Sequence, residues 1–409
     1  MPLTDAKTRR AILLLAWLGW VFDVADTALF NFAKAPMLTQ MLGAEGYKRR
    51  GAQVEGAIQS IFLLGWALGG LVFGILADRW SRTRTLVVTV LLYCLFTGLT
   101  ALCRTPEQVA CARFLSALGI GGEWAAGAAL VAEAFSDASR PIAASWLQTA
   151  AAFGPMLAAL ANLGLAGRPW QWLFLVGIAP ALLCAIARTG AHDPVTVAPK
   201  TKQPLTEIFS NAKWRGRAVA AMIVGAVGIA GAGTATFWQP NLVKAASEGL
   251  SKAVIDTRTS QLTMISHLGT LAGVFVAPWL AARFGRKRTI GVFFVCAPLM
   301  AFAAIGGGAA FGRLMELLPL VNFFAIGVSA VFVLYFPELF PTSVRATGSG
   351  LAYNVGRLLA IPMPLFTGWA IGRFGGSVAP GVVLSGTIYL VGLLAIPFLP
   401  ETRGEPLLD

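Results

Sequence analysis

This 409-residue chain predicts an all-α membrane protein: twelve transmembrane helices arranged as two six-helix pseudo-repeats. Three observations carry that prediction. Hydrophobic residues make up 56% of the chain and charged residues 12%, against roughly 45–50% and 25% in soluble domains. Apolar stretches of membrane-crossing length recur from end to end. Two polar motifs also occur twice, about half a chain apart. Arg79-Trp80-Ser81-Arg82-Thr83-Arg84 returns as Arg283-Phe284-Gly285-Arg286-Lys287-Arg288, and Glu133-x-Phe135-x-x-x-x-Arg140 returns as Glu338-x-Phe340-x-x-x-x-Arg345. A long fixed period in an apolar chain marks carriers whose halves are parallel repeats about the membrane normal.

A helix crossing about 30 Å of hydrocarbon needs about 20 apolar residues. By that measure the spans lie near 11–33, 54–77, 85–103, 109–134, 141–165 and 170–188 in the first half. Those of the second half lie near 218–241, 260–282, 289–306, 315–337, 347–371 and 379–399. Span 1 follows Lys7, Arg9 and Arg10 without a small-residue cleavage site, so it reads as a retained helix rather than a leader. Span 2 carries Gly65-x-x-x-Gly69 and Gly70-x-x-x-Gly74, which admit a close neighbour. Glycine and proline inside other spans are tolerated because adjacent helices re-satisfy freed backbone groups. The long polar interval 189–217 holds His192, three prolines and five cations, the composition of a linker with a short surface helix near 204–213. The expected units are therefore 1–188, 189–217 and 218–409.

The net charge of +13 sits in short clusters between apolar runs rather than along one face. That pattern points to topology and not to nucleic acid. Lys and Arg retain loops in the cytoplasm, so both termini are expected inside, in a bacterial inner membrane. Lys48-Arg49-Arg50 falls on the wrong side for this rule. The five cysteines lie in or beside apolar segments without metal or redox spacing, and no metal or cofactor is expected.

The loop Gly74-x-x-x-Asp78-Arg79-x-Ser81-Arg82-x-Arg84 resembles the signature loop of the major facilitator superfamily. The likeness extends to Arg113 with Gly119, Gly121 and Gly122 in span 4, to residues 337–348 (PELFPTSVRATG), and to residues 400–404 (PETRG). Asp23-x-x-Asp26, residues 119–124 (GIGGEW) and 353–357 (YNVGR) are similar to the metabolite:proton symporter branch. Members of that branch carry aromatic acids, lactate-type monocarboxylates or sialic acid. The PETRG tail is shared with sugar porters. The chain departs from the pattern at Ser81, Ala117, Pro141, Pro278 and Ala282, the last replacing the acid of the second signature loop.

An ionisable group at mid-membrane costs several kcal/mol unless it meets water or a partner. Asp23, Asp26, Arg113, Glu123, His267, Glu316 and Arg357 lie on spans 1, 4, 8, 10 and 11. In the fold this chain resembles, those helices line the path while spans 3, 6, 9 and 12 face lipid. The latter four contain no Asp, Glu, Lys or His, and no Arg short of Arg188, the end residue of span 6. Asp23 and Asp26 share a helical face and repel each other's charge, the chemistry of proton exchange. Glu123, with Arg113 near it in sequence, is a further proton candidate. Arg357 presents a planar fork that matches a carboxylate, with Asn354 one turn away and Tyr353, His267 and Gln239 as further pocket candidates. Asp78, Arg79, Arg82, Glu133, Arg140, Glu338 and Arg345 are expected to gate the cytoplasmic face through ion pairs.

These readings converge on a monomeric alternating-access carrier, with protons and a small organic anion as its cargo and the bilayer as its surroundings. A sugar or polyol carrier and an organic-cation or drug exporter are the alternatives within the fold. Neither an H-E-x-x-H metal motif nor a nucleophile motif supports an enzyme, and no selectivity loop supports a channel.

Overall fold

The computed structural model describes residues 6–79, 82–135, 140–178, 204–341 and 344–405, and every regular element among them is helical. The first, α1 (Ala6–Arg79), is two passes in one. Gly43 breaks it at φ 73°, ψ 163°, a backbone that glycine reaches without strain. Lys34 and Glu55 would stand about 30 Å apart on a straight helix, yet their side chains meet at 3.2 Å, so the chain doubles back. The first half continues with α2 (Arg82–Thr100), α3 (Pro106–Ala134), α4 (Arg140–Gln148), α5 (Ala150–Gly164) and α6 (171–178).

The short α7 (Pro204–Ser210) begins on a proline, where a missing N–H costs nothing. The second half then runs α8 (Ala212–Phe237), α9 (Gln239–Ala245), α10 (Lys252–Phe284), α11 (Arg286–Ile305) and α12 (Phe311–Glu338). It ends with α13 (Arg345–Ala360), α14 (Pro362–Arg373), α15 (Val378–Ser385) and α16 (Ile388–Ala395). Asn211 caps α8 by accepting from the Lys213 and Trp214 amides, so this helix starts inside the interval read as linker. The pairs α4/α5, α8/α9, α13/α14 and α15/α16 are single passes interrupted by one or two residues.

Seven described helical stretches are long and apolar enough to cross a membrane, and the first of these contains both limbs of α1. The outer helices present their apolar faces outward: Leu95 on α2, Trp172 on α6, Phe302 on α11 and Leu394 on α16 are all exposed. They belong to spans 3, 6, 9 and 12, the four expected to face lipid.

The end that carries the Gly43 turn is called here the far end; the other, with the repeated basic loops, is the motif end. At the far end one apolar core runs through both halves, joining Phe30, Leu38 and Ile58 to Trp238, Leu262 and Leu314. Toward the motif end, separate clusters form around Phe62 and Tyr93 in the first half and around Phe294 and Phe332 in the second. The halves touch most closely where α1 crosses α14. A Cβ on Gly56 would stand 2.3 Å from the Pro364 carbonyl oxygen, and one on Gly368 would stand 2.5 Å from that of Ala52. The far end is sealed.

Candidate functional site

A cavity of about 240 Å³ lies between the halves beneath that seal. Among the described residues its wall comes from α1, α4, α5, α8 to α10 and α12 to α14; the peripheral helices contribute nothing. Trp20, Trp66, Trp238, Phe332 and Tyr353 supply flat apolar faces, and Asn31, Gln59, Gln148 and Gln239 supply amides. Among the described lining residues Arg357 is the one permanent cation, and none is a carboxylate.

Helix interruptions place these groups. Pro240 lacks an N–H and breaks the pass at Trp238, whose own N–H turns back to the Thr236 carbonyl. The elbow turns Phe237, Trp238 and Gln239 into the wall. At the other break, Gln148 donates to Ser329 Oγ across the halves at 2.9 Å. Arg357 occupies the last turn of α13, where unpaired carbonyls favour a cation. Its guanidinium lies over the Trp66 ring of the opposite half at 4.4 Å and over Tyr353 at 5.4 Å.

His267 is buried, and its Nδ1 lies 2.9 Å from the Thr263 carbonyl oxygen. A carbonyl only accepts, so Nδ1 carries the proton there, and in a neutral ring Nε2 is then the acceptor. Gln239 donates to Ser266 Oγ at 3.3 Å. Asn354, expected in the pocket, does not line it; its side-chain oxygen faces Gly70 of α1 instead.

The two aspartates expected to line the route are buried behind the wall. Asp26 accepts from Arg113 Nη1 at 2.8 Å and from Thr97 Oγ1 at 2.7 Å, deep within the first half. Arg113 is further held over the Phe30 and Phe62 rings. Asp23 is 1% exposed and likewise does not line the cavity. Glu316 is exposed near the far end of α12. Of the seven intramembrane ionisable residues, His267 and Arg357 alone are found among the described lining residues.

The sequence profile of the Major Facilitator Superfamily matches residues 16–364. The chain belongs to the major facilitator superfamily. It is a membrane transporter and not an enzyme. It is 31% identical over 399 residues to a probable 4-methylmuconolactone transporter of Cupriavidus pinatubonensis, covering 94% of this chain and 89% of that one. To the cis,cis-muconate transport protein of Acinetobacter baylyi it is 24% identical, over 98% of this chain and 97% of the relative. Its fold is similar to that of a bacterial homologue of the human lysosomal transporter Spinster, with a TM-score of 0.72 at 17% identity, covering 97% of each chain.

At the motif end of this facilitator, Arg286 grips Glu338 with two bonds, Nε to Oε2 at 3.1 Å and Nη2 to Oε1 at 2.8 Å. Thr402 also donates to Glu338. The pair links α11 to α12 within the second half and does not cross to the first. Glu401 of the PETRG tail accepts from the Arg286 and Lys287 amides, capping α11. Arg345 begins α13. The side chains of Asp78, Arg79, Arg82, Glu123, Glu133 and Arg140 lie outside the described residues.

One constellation escapes sequence reasoning. Lys34 and Glu55 are fully buried and paired at 3.2 Å beside the α8–α9 elbow. Lys34 falls just past the end drawn for span 1, and Glu55 lies at the very start of span 2. The signal was their position within one residue or two of a span boundary, on limbs joined by a single turn.

Proposed function

We propose that this facilitator is a proton-coupled symporter of a small organic anion, working by alternating access. The observation that carries the reading is the cavity's charge: Arg357 faces it from the second half, and no described lining residue is acidic. A planar guanidinium binds a carboxylate through two parallel bonds, while the tryptophan faces and amides around it suit an unsaturated or ring-bearing carbon frame. The similar transporters named for muconate and methylmuconolactone fit such a cargo. A described cavity wall without a carboxylate does not suit an organic cation.

The proton belongs to the first half. Asp26 is held by Arg113 and Thr97; we assign proton exchange to Asp23, one turn away and 1% exposed, with Glu123 of α3 as the second candidate. Protonating Asp23 changes the charge held in the interior of the first half and so favours one arrangement of the halves over the other. The basic motif end is assigned to the cytoplasm, making the sealed far end external and the described state inward-facing. Glu338 bonds within its own half in this state, as expected of a gate that joins the halves only when the carrier opens outward. The carrier works as a monomer in a bacterial inner membrane.

Purified protein in proteoliposomes tests the reading. Uptake of muconate or a similar carboxylate should rise with an inward proton gradient and collapse with a protonophore. Uptake indifferent to both refutes proton coupling. The amide wall of Asn31, Gln59, Gln148 and Gln239 favours one second reading, a polyol carrier. A thermal shift with sugars but not with carboxylates would select it, since a ligand bound to the native state raises stability by mass action.

A further inference from the structure

We propose that Lys34 and Glu55 are positioning residues for transport: a fixed ion pair on the first half whose two poles clasp the α8–α9 elbow and close the cavity's far end. The proposal rests on the alternating-access part of the function above.

Both members of the pair sit on α1, one on each limb, so the pair itself does not join the halves. Its poles do. Lys34 Nζ has three hydrogens and three acceptors. One is Glu55 Oε2 at 3.2 Å, one is the Phe237 carbonyl oxygen at 2.6 Å, and the third is the Phe237 ring face, 3.2 Å from the ammonium. The Trp238 ring lies 4.6 Å away on the same elbow. The acidic pole reaches the elbow a turn further on, where Asn241 Nδ2 donates to Glu55 at 2.9 and 3.3 Å. Tyr47 completes the carboxylate's shell with its hydroxyl at 2.5 Å.

The order of poles matters. A carbonyl and two ring faces demand a cation, because both offer negative potential; the amide hydrogens of Asn241 demand an anion. The elbow thus reads the sign of each pole, and a half that slides or rotates loses both contacts together. Phe237, Trp238 and Gln239 also wall the cavity. Seating the elbow on Lys34 and Glu55 therefore seals the far end and sets the wall against the cargo in one movement. No helix spacing within either half requires this cross-half complementarity.

Spin-label distances across the far end test the clasp, with labels at exposed Glu45 and Glu248 in a chain freed of native cysteines. They are read without substrate or gradient. Wild type should populate a short and a long distance; a single distance in wild type under all conditions would sink the alternating-access reading itself. Three variants then address the clasp. The neutral pair Lys34→Met with Glu55→Gln avoids leaving one buried charge unmatched. Asn241→Leu removes the acidic pole's contact from the other half. The exchange Lys34→Glu with Glu55→Lys keeps an ion pair but reverses its poles.

Each should raise the long-to-short ratio on the order of tenfold, with the exchange failing to restore closure. Each should also raise the KM for uptake more than it lowers the maximal rate. The proposal is overturned if the folded exchange or neutral variant shows the wild-type distance ratio, since the pair would then be internal to its half. Should the exchange not fold, the neutral pair and Asn241→Leu decide in the same terms.

Discussion

The guanidinium carbon of Arg357 stands 4.4 Å from the centroid of the Trp66 ring, and the two residues belong to opposite halves. The cavity's cation therefore rests on an aromatic face that the other half supplies. Stacking holds the fork in one plane, the presentation that the two oxygens of a carboxylate match.

Arg357→Lys keeps the charge but loses the fork and the stack. Initial uptake by correctly inserted protein should fall on the order of tenfold or more. Near-normal uptake by the lysine variant would remove Arg357 from the binding role.

The buried pair of Asp26 and Arg113 makes a stability prediction. Asp26→Asn strands a guanidinium in a dry interior and should destabilise the fold by about 3–5 kcal/mol, seen as a clear drop in melting temperature in detergent. Asp26→Leu with Arg113→Met should recover most of it. Asp23→Asn should instead melt near wild type while abolishing gradient-driven accumulation. If the two aspartates exchange these phenotypes, the proton assignment moves to Asp26.

Gly368 faces the Ala52 carbonyl so closely that any Cβ forces the helices apart. Gly368→Val should hold the far end open. A cysteine placed at Gln239 would then react several-fold faster with a membrane-impermeant thiol reagent added outside than the same cysteine in the parent chain. Equal labelling in both would show that α1 and α14 part without consequence for the seal.

Glu401 caps α11 from the chain's last described segment, accepting from the Arg286 and Lys287 amides at 2.9 and 3.2 Å. Glu401→Ala should cost about 1 kcal/mol of local stability. The readout is faster hydrogen exchange at those amides; unchanged protection would mean that Arg286 and Glu338 hold this turn alone.

The twelve passes are legible in the chain because lipid requires each backbone group to be satisfied within its own helix, which gives every crossing a readable length. Arg357 and His267 are legible as pocket residues because a charge in hydrocarbon needs a reason to be there. Asn354 is not, because its orientation depends on how α13 is rotated against α1, and spacing within one helix does not encode that. The acids of span 1 are visible as special but not as buried behind the wall. Asp26 meets Arg113 only once α1 and α3 are packed. Lys34 and Glu55 hide at span ends, where charges are ordinarily solvated, and only the doubling of the chain at Gly43 brings them together.

The pairing of Asp26 with Arg113 also constrains how the chain can be made. Its first pass carries two carboxylates and the buried Lys34, and Glu55 emerges on the second, but the arginine that matches Asp26 arrives only on the fourth. A nascent chain shorter than that has no low-energy place in hydrocarbon for its leading helix. Insertion of the first half is thus expected to be collective, the early helices settling only once residue 113 has been synthesised and can cancel the charge of Asp26.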